Sequence, residues 1–134
     1  VELDFAFICD YAEVSNKINA LGIGFDTIFA QSTPVTHGSF HLVAQFRAEP
    51  TEVGQKRITL SIIDADGKAV INPAEAAITI GPPAPGSYDI VARVSIAFGS
   101  VTFPRFGAYS LHADVEGQEM VRIPLRVAKS GQQK

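Results

Sequence analysis

From Phe40 to Ala48 the chain alternates without a break, with Phe40, Leu42, Ala44, Phe46 and Ala48 on one phase and His41, Val43, Gln45 and Arg47 on the other. Successive side chains leave a pleated strand on opposite sides, so a period of two marks a strand with one face in a core. The pattern recurs down the chain. Ile58, Leu60 and Ile62 alternate with Arg57, Thr59 and Ser61, and Tyr88, Ile90, Ala92, Val94, Ile96 and Phe98 alternate with Asp89, Arg93 and Ser95. Tyr109, Leu111, Ala113 and Val115, then Val121, Ile123, Leu125 and Val127, give two more runs. No segment sustains apolar residues at i, i+3, i+4 and i+7 over three turns. The nearest, NPAEAAITI behind Pro73, has room for at most one helical turn.

The punctuation between runs is that of hairpins. Gly117 in VEGQE and Gly67 after Asp66 supply the positive φ of tight reversals. Pro124 lies on the outward phase of the last run and has no N–H to give a neighbour, which predicts an edge strand there. GPPAPG at 81–86 reads as a stiff loop. The expectation is one all-β domain over residues 1–128, a two-sheet antiparallel β-sandwich, with a polar tail at 129–134. FGAYSL carries Gly107, Tyr109 and Leu111 at the spacing of a tyrosine corner, which favours an immunoglobulin-like sandwich over a jelly roll or C2-like one.

Composition narrows the partners. At 134 residues and 46% hydrophobic, the chain has enough apolar material for one core without staples. Net charge is −3 and the basic residues are scattered, so the electrostatic term that drives nucleic-acid binding is missing. Neither nucleic acid nor a membrane is an expected partner: no apolar run approaches the ~18 residues of a span, and no leader pattern opens the chain. A lone cysteine, Cys9, cannot close an internal disulfide, which points to the cytoplasm.

Each candidate for chemistry has a plainer reading beside it. His37 and His41 lie on an extended run, where four residues span ~13 Å, too far for one metal ion. Asp64 and Asp66 in IDADGK resemble the start of a calcium loop, but apolar residues follow at once and a hairpin turn suffices. A C2-like site could still gather Asp26 and Asp64. Cys9 continues the phase of Leu3, Phe5 and Phe7, as a small buried hydrophobe would. Across LGIGFDTIFA, Leu21, Ile23, Phe25, Thr27 and Phe29 share one face of a strand, leaving Gly22 and Gly24 open to close approach on the other. No catalytic set, metal site or cofactor cradle emerges. The densest polar stretch is CDYAEVSN at 9–16, and Asp10, Tyr11 and Glu13, with Asp26, are the candidate binding residues.

The segment DYAEVSNKINALGIGFDTI resembles the opening block of a bacterial family of small domains of unknown function, through Asp10, Tyr11, Ala12, Glu13, Lys17, Gly22, Gly24, Phe25, Asp26 and Ile28. IDADGK and FPRFGAYSLHADVEGQ are similar to later pieces of the same family, whereas Asn16 stands where the family has glycine. The resemblance implies a bacterial β-sandwich and brings no activity with it. The expected function is a non-enzymatic protein-interaction or assembly module, working through a sheet edge, a loop end or self-association. The alternative is a small-molecule or carbohydrate site near Asp10, Tyr11, Glu13 and Asp26.

Overall fold

The alternating run Phe40–Ala48 is the middle strand of a three-stranded sheet, in a computed structural model that describes residues 1–130. In chain order the strands are β1 Glu2–Cys9, β2 Tyr11–Val14, β3 Ile18–Leu21, β4 Thr27–Ala30, β5 Val35–His37, β6 Phe40–Ala48, β7 Gly54–Asp64, β8 Ala74–Ile80, β9 Ile90–Phe98, β10 Val101–Phe103, β11 Gly107–Val115 and β12 Gln118–Lys129. The one helical element among the described residues is a single 3-10 turn, Pro50–Glu52. Among the described residues no helix is long and apolar enough to cross a membrane.

Two sheets carry the core. One has the order β1-β6-β9 and the other β4-β12-β11-β7-β8. Phe40, Leu42, Ala44 and Phe46 of β6 meet Ile58, Leu60 and Ile62 of β7, Leu111 and Ala113 of β11, and Leu125 and Val127 of β12 in one buried cluster. The phase read from the sequence is therefore the phase that packs, and at ~25 cal/mol per Å² this burial is the main favourable term of folding. Two small ribbons complete the fold, β10 with β5 and β2 with β3.

The hairpins close as their glycines dictate. Glu116 (φ 49°) and Gly117 (φ 83°) form the two-residue reversal between β11 and β12, with both central residues at positive φ. Tyr109 forms the corner its spacing predicts: its hydroxyl donates to the Arg105 carbonyl at 2.6 Å and accepts from the Arg105 N–H at 3.1 Å.

Several expectations need correction. The Ala-rich stretch is no helical turn but strand β8, because Ala76, Ile78 and Ile80 turn inward against the core while Glu75, Ala77 and Thr79 face out. The sheets are not purely antiparallel, since β4 joins β12 in parallel over Arg126–Lys129. That pairing also removes β12 from the sheet's edge. The missing N–H of Pro124 is nevertheless harmless at this position. The Arg126 N–H reaches Asp26 O on the β4 side, and the ring nitrogen two residues earlier faces the same side before β4 begins. The strand runs on through Lys129, and the Ser130 N–H bonds Ala30 O, so residues 129 and 130 are paired rather than tail. Residues 131–134 of the expected tail lie outside the described residues. Finally, 21–29 is not one strand: Gly22 (φ 68°) and Gly24 (φ 83°) break it into β3, a turn and β4.

Candidate functional site

The joint at residues 9–26 folds back as an independent hairpin. β1 ends at Cys9, the Asp10 N–H bonds Leu21 O at 2.9 Å, and the Gly24 N–H bonds Ile8 O at 2.9 Å, so the end of β1 clamps the hairpin's exit. β2 and β3 pair from Tyr11↔Leu21 to Val14↔Ile18, and the turn closes with Ser15 N–H to Lys17 O. The hairpin then lies on the outer face of the three-stranded sheet. Ala12 covers Cys9 and Val43 there, with Phe7, Ile18 and Ala20 packed around them. Cys9 is buried as expected, but in this outer cluster and not in the core between the sheets. Burial chiefly, with the charge of Asp10 adding to it, raises the thiol above its ordinary pKa against the lowering effect of a backbone hydrogen bond at Tyr11.

Val43 explains itself in this setting. It interrupts the polar phase of His41, Gln45 and Arg47, and the hairpin is what it buries against. Away from the hairpin the same face is polar. Asp4 accepts from Gln45 Nε2 at 2.8 Å and from Arg47 Nε, and Arg93 Nε donates to Gln45 Oε1 at 2.8 Å.

Between β1 and the hairpin runs an apolar trough of about 700 Å³, lined by Phe5 and Phe7, Tyr11 and Glu13, residues 18–21, and Ile23. Its walls are unusually bare: Phe5 is 40% exposed, Tyr11 49%, Leu21 69% and Ile23 59%. Phe5 and Phe7 stack at 6.1 Å, 9° from parallel. The one acid in the trough is occupied, since the Tyr11 hydroxyl donates to Glu13 Oε1 at 2.8 Å. That bond, then the carboxylate's charge, raises the phenol's pKa above its ordinary value. The Tyr11 ring also meets His41 edge-on at 5.2 Å, and His41 Nδ1 is 3.2 Å from Ser95 Oγ.

Of the four expected site residues, Tyr11 and Glu13 line this trough and Asp10 and Asp26 do not. Asp10 lies against Gly22. Asp26 accepts from the Thr27 hydroxyl at 3.0 Å, and its carbonyl anchors Arg126. The apolar members, Phe5, Leu21 and Ile23, carry no polar mark and lie in runs that alternate like any strand, so the sequence does not single them out. The signal available was the pair of glycines flanking Ile23, which make an unbroken strand costly.

Other polar groups resolve into structural roles. Asp64 Oδ1 accepts from the N–H groups of Asp66 and Lys68, both at 2.9 Å, and Oδ2 lies 3.4 Å from Arg105 Nη2. IDADGK is thus a capped turn. Among the described residues no group of three His, Cys, Asp or Glu side chains is placed to share a metal ion. On the outer face of the five-stranded sheet, Ser110 Oγ lies 2.7 Å from His112 Nε2, whose Nδ1 is 2.5 Å from Glu119 Oε1. This has the order of a serine relay. Ser110, however, sits mid-strand, paired with Ile63 of β7 and Pro124 of β12.

Residues 4–128 match the model of DUF6941, a family of unknown function, and the chain belongs to that family. No curated protein matches the chain.

Proposed function

We propose that this domain is a protein-interaction module, non-enzymatic in character, that takes an extended apolar segment of a partner protein into the trough between β1 and the β2–β3 hairpin. The carrying observation is the ring of exposed apolar side chains, Phe5, Tyr11, Leu21 and Ile23, around one concave surface whose single carboxylate is already bonded. Exposing such groups costs free energy that a chain with no use for them would recover by substituting polar residues. The form of the partner follows from the walls. β1 is the edge of its sheet and β3 an edge of its ribbon, so unpaired backbone groups flank the apolar floor. Strand addition uses that pairing of main-chain bonds with pockets for alternate side chains.

The immunoglobulin-like reading of the fold accords with this use. Its support is the Tyr109 corner, near the start of the strand that precedes the last, and the split of the strands into β1-β6-β9 and β4-β12-β11-β7-β8. In that reading the β2–β3 hairpin is an insertion between the first strand and its continuation as β4. A bacterial, cytoplasmic setting rests on the resemblance in residues 10–28 and on the single buried thiol.

A second reading, a small apolar molecule or sugar stacked on Tyr11, is favoured by the trough's volume, which falls in the range of ligand clefts. Phage display of random short peptides separates the two. The interaction reading expects enriched peptides with alternating apolar residues, bound by the wild-type chain and lost on Leu21→Asp. Enrichment of none, or binding that survives Leu21→Asp, contradicts it.

A further inference from the structure

β9 is the other edge of the three-stranded sheet, and among the described residues no strand pairs with its open side. It pairs with β6 over all nine residues, Ile90 to Phe98, with no register shift. Among the described residues no further backbone bond reaches it from its open side. The segment that precedes it cannot fold over as a partner strand, because Pro82, Pro83 and Pro85 lack the donors a ladder requires. The inward residues show the missing neighbour: Val94 and Ile96 face the core yet stay only partly buried.

The two edges of the five-stranded sheet carry devices that block edge-to-edge pairing. β4 is four residues long, and β8 follows Pro73 and bears Glu75. β9 has neither bulge nor proline, and its one charge is drawn off the edge. Arg93 leans back over the sheet to Gln45 Oε1 on β6 and to Asn16 O at 3.3 Å.

We propose that β9 is a self-association edge, pairing antiparallel with β9 of a second copy about a two-fold axis through Val94. The occupant follows from the sequence IVARVSIAF read against itself. About Val94, the inward phase matches Ile90 with Phe98, Ala92 with Ile96 and Val94 with its mate, all apolar. The outward phase matches Val91 with Ala97 and Arg93 with Ser95. No like charges meet, and each pair other than Val94 with its mate occurs twice. The seam is about 30 Å long at ~3.3 Å per residue and joins two three-stranded sheets into one of six. It lies on the opposite edge of the sheet from β1, so it stands or falls apart from the trough.

The test is sedimentation velocity over a wide concentration range on the wild-type chain, Ser95→Lys and Ser95→Glu. The wild type is expected to be a reversible dimer. Ser95→Lys sets two ammonium groups against two Arg93 side chains across the seam and weakens the dimer about tenfold, whereas Ser95→Glu sets carboxylates there and tightens it by a comparable factor. Both variants lose the Ser95–His41 contact, so opposite shifts cannot come from that loss. A wild-type chain that stays monomeric overturns the proposal. So does a dimer whose stability moves the same way, or not at all, in the two variants.

Discussion

The Asp10 carboxylate occupies the space a side chain at Gly22 would need: a β-carbon there would fall 2.1 Å from Asp10 Oδ2. Gly22 also sits at φ 68°, the left-handed region that side chains disfavour. Beside it the hairpin's exit closes against the end of β1 through the Asp10 N–H on Leu21 O. Gly22→Ala is therefore expected to destabilise the chain by about 1–3 kcal/mol, from backbone strain and displacement of Asp10 together. Adding Asp10→Ala should recover the steric part and leave the φ part, a non-additive cycle readable by urea denaturation.

Hairpin docking has its own reporter in Cys9. The thiol is fully buried under Ala12 beside Val43, and burial keeps it protonated. A thiol reagent should therefore react with the native chain only as fast as the hairpin lifts. Ile18→Ala, which removes packing from this cluster, is expected to raise the labelling rate roughly tenfold, corresponding to about 1.4 kcal/mol of lost docking energy. Prompt labelling of the wild type would mean that the hairpin does not rest where it is described.

Acid sensitivity should centre on Asp64. Its pKa is lowered chiefly by the Lys68 N–H, then by the Asp66 N–H and the charges of Arg105 and Lys68, with partial burial opposing. A folded pKa below the ordinary ~3.9 means that the unfolded chain binds the proton first. The stabilisation is complete above the ordinary value and is lost as pH falls through the lower, folded one. The stability gap between wild type and Asp64→Asn should thus hold constant at neutral and mildly acidic pH and shrink below ~3.9. A gap that grows on acidification would contradict this sign.

The core strands were legible because their period of two is also the period of burial. Phe40–Ala48 and Gly107–Val115 pack on the phase that the sequence displays, and Tyr109 makes the bonds its spacing implies. β8 was not, since alanine favours helices locally and only the pairing with β7 decides for strand. The trough was half legible. Tyr11 and Glu13 stood out as polar groups, but Leu21 and Ile23 look like core residues to any reading that cannot see the chain turn at Gly22 and Gly24. Parallel docking of β4 on β12 joins residues a hundred positions apart, and no local pattern encodes it.

The central claim, that the trough is the binding surface, is tested most directly by locating a bound peptide. With a display-selected peptide added to the isotope-labelled chain, amide chemical shifts should move at Phe5, Phe7, Tyr11 and residues 18–23 and stay put on β7 and β8. Shifts confined to the five-stranded sheet or to the loop at 81–86 would contradict it.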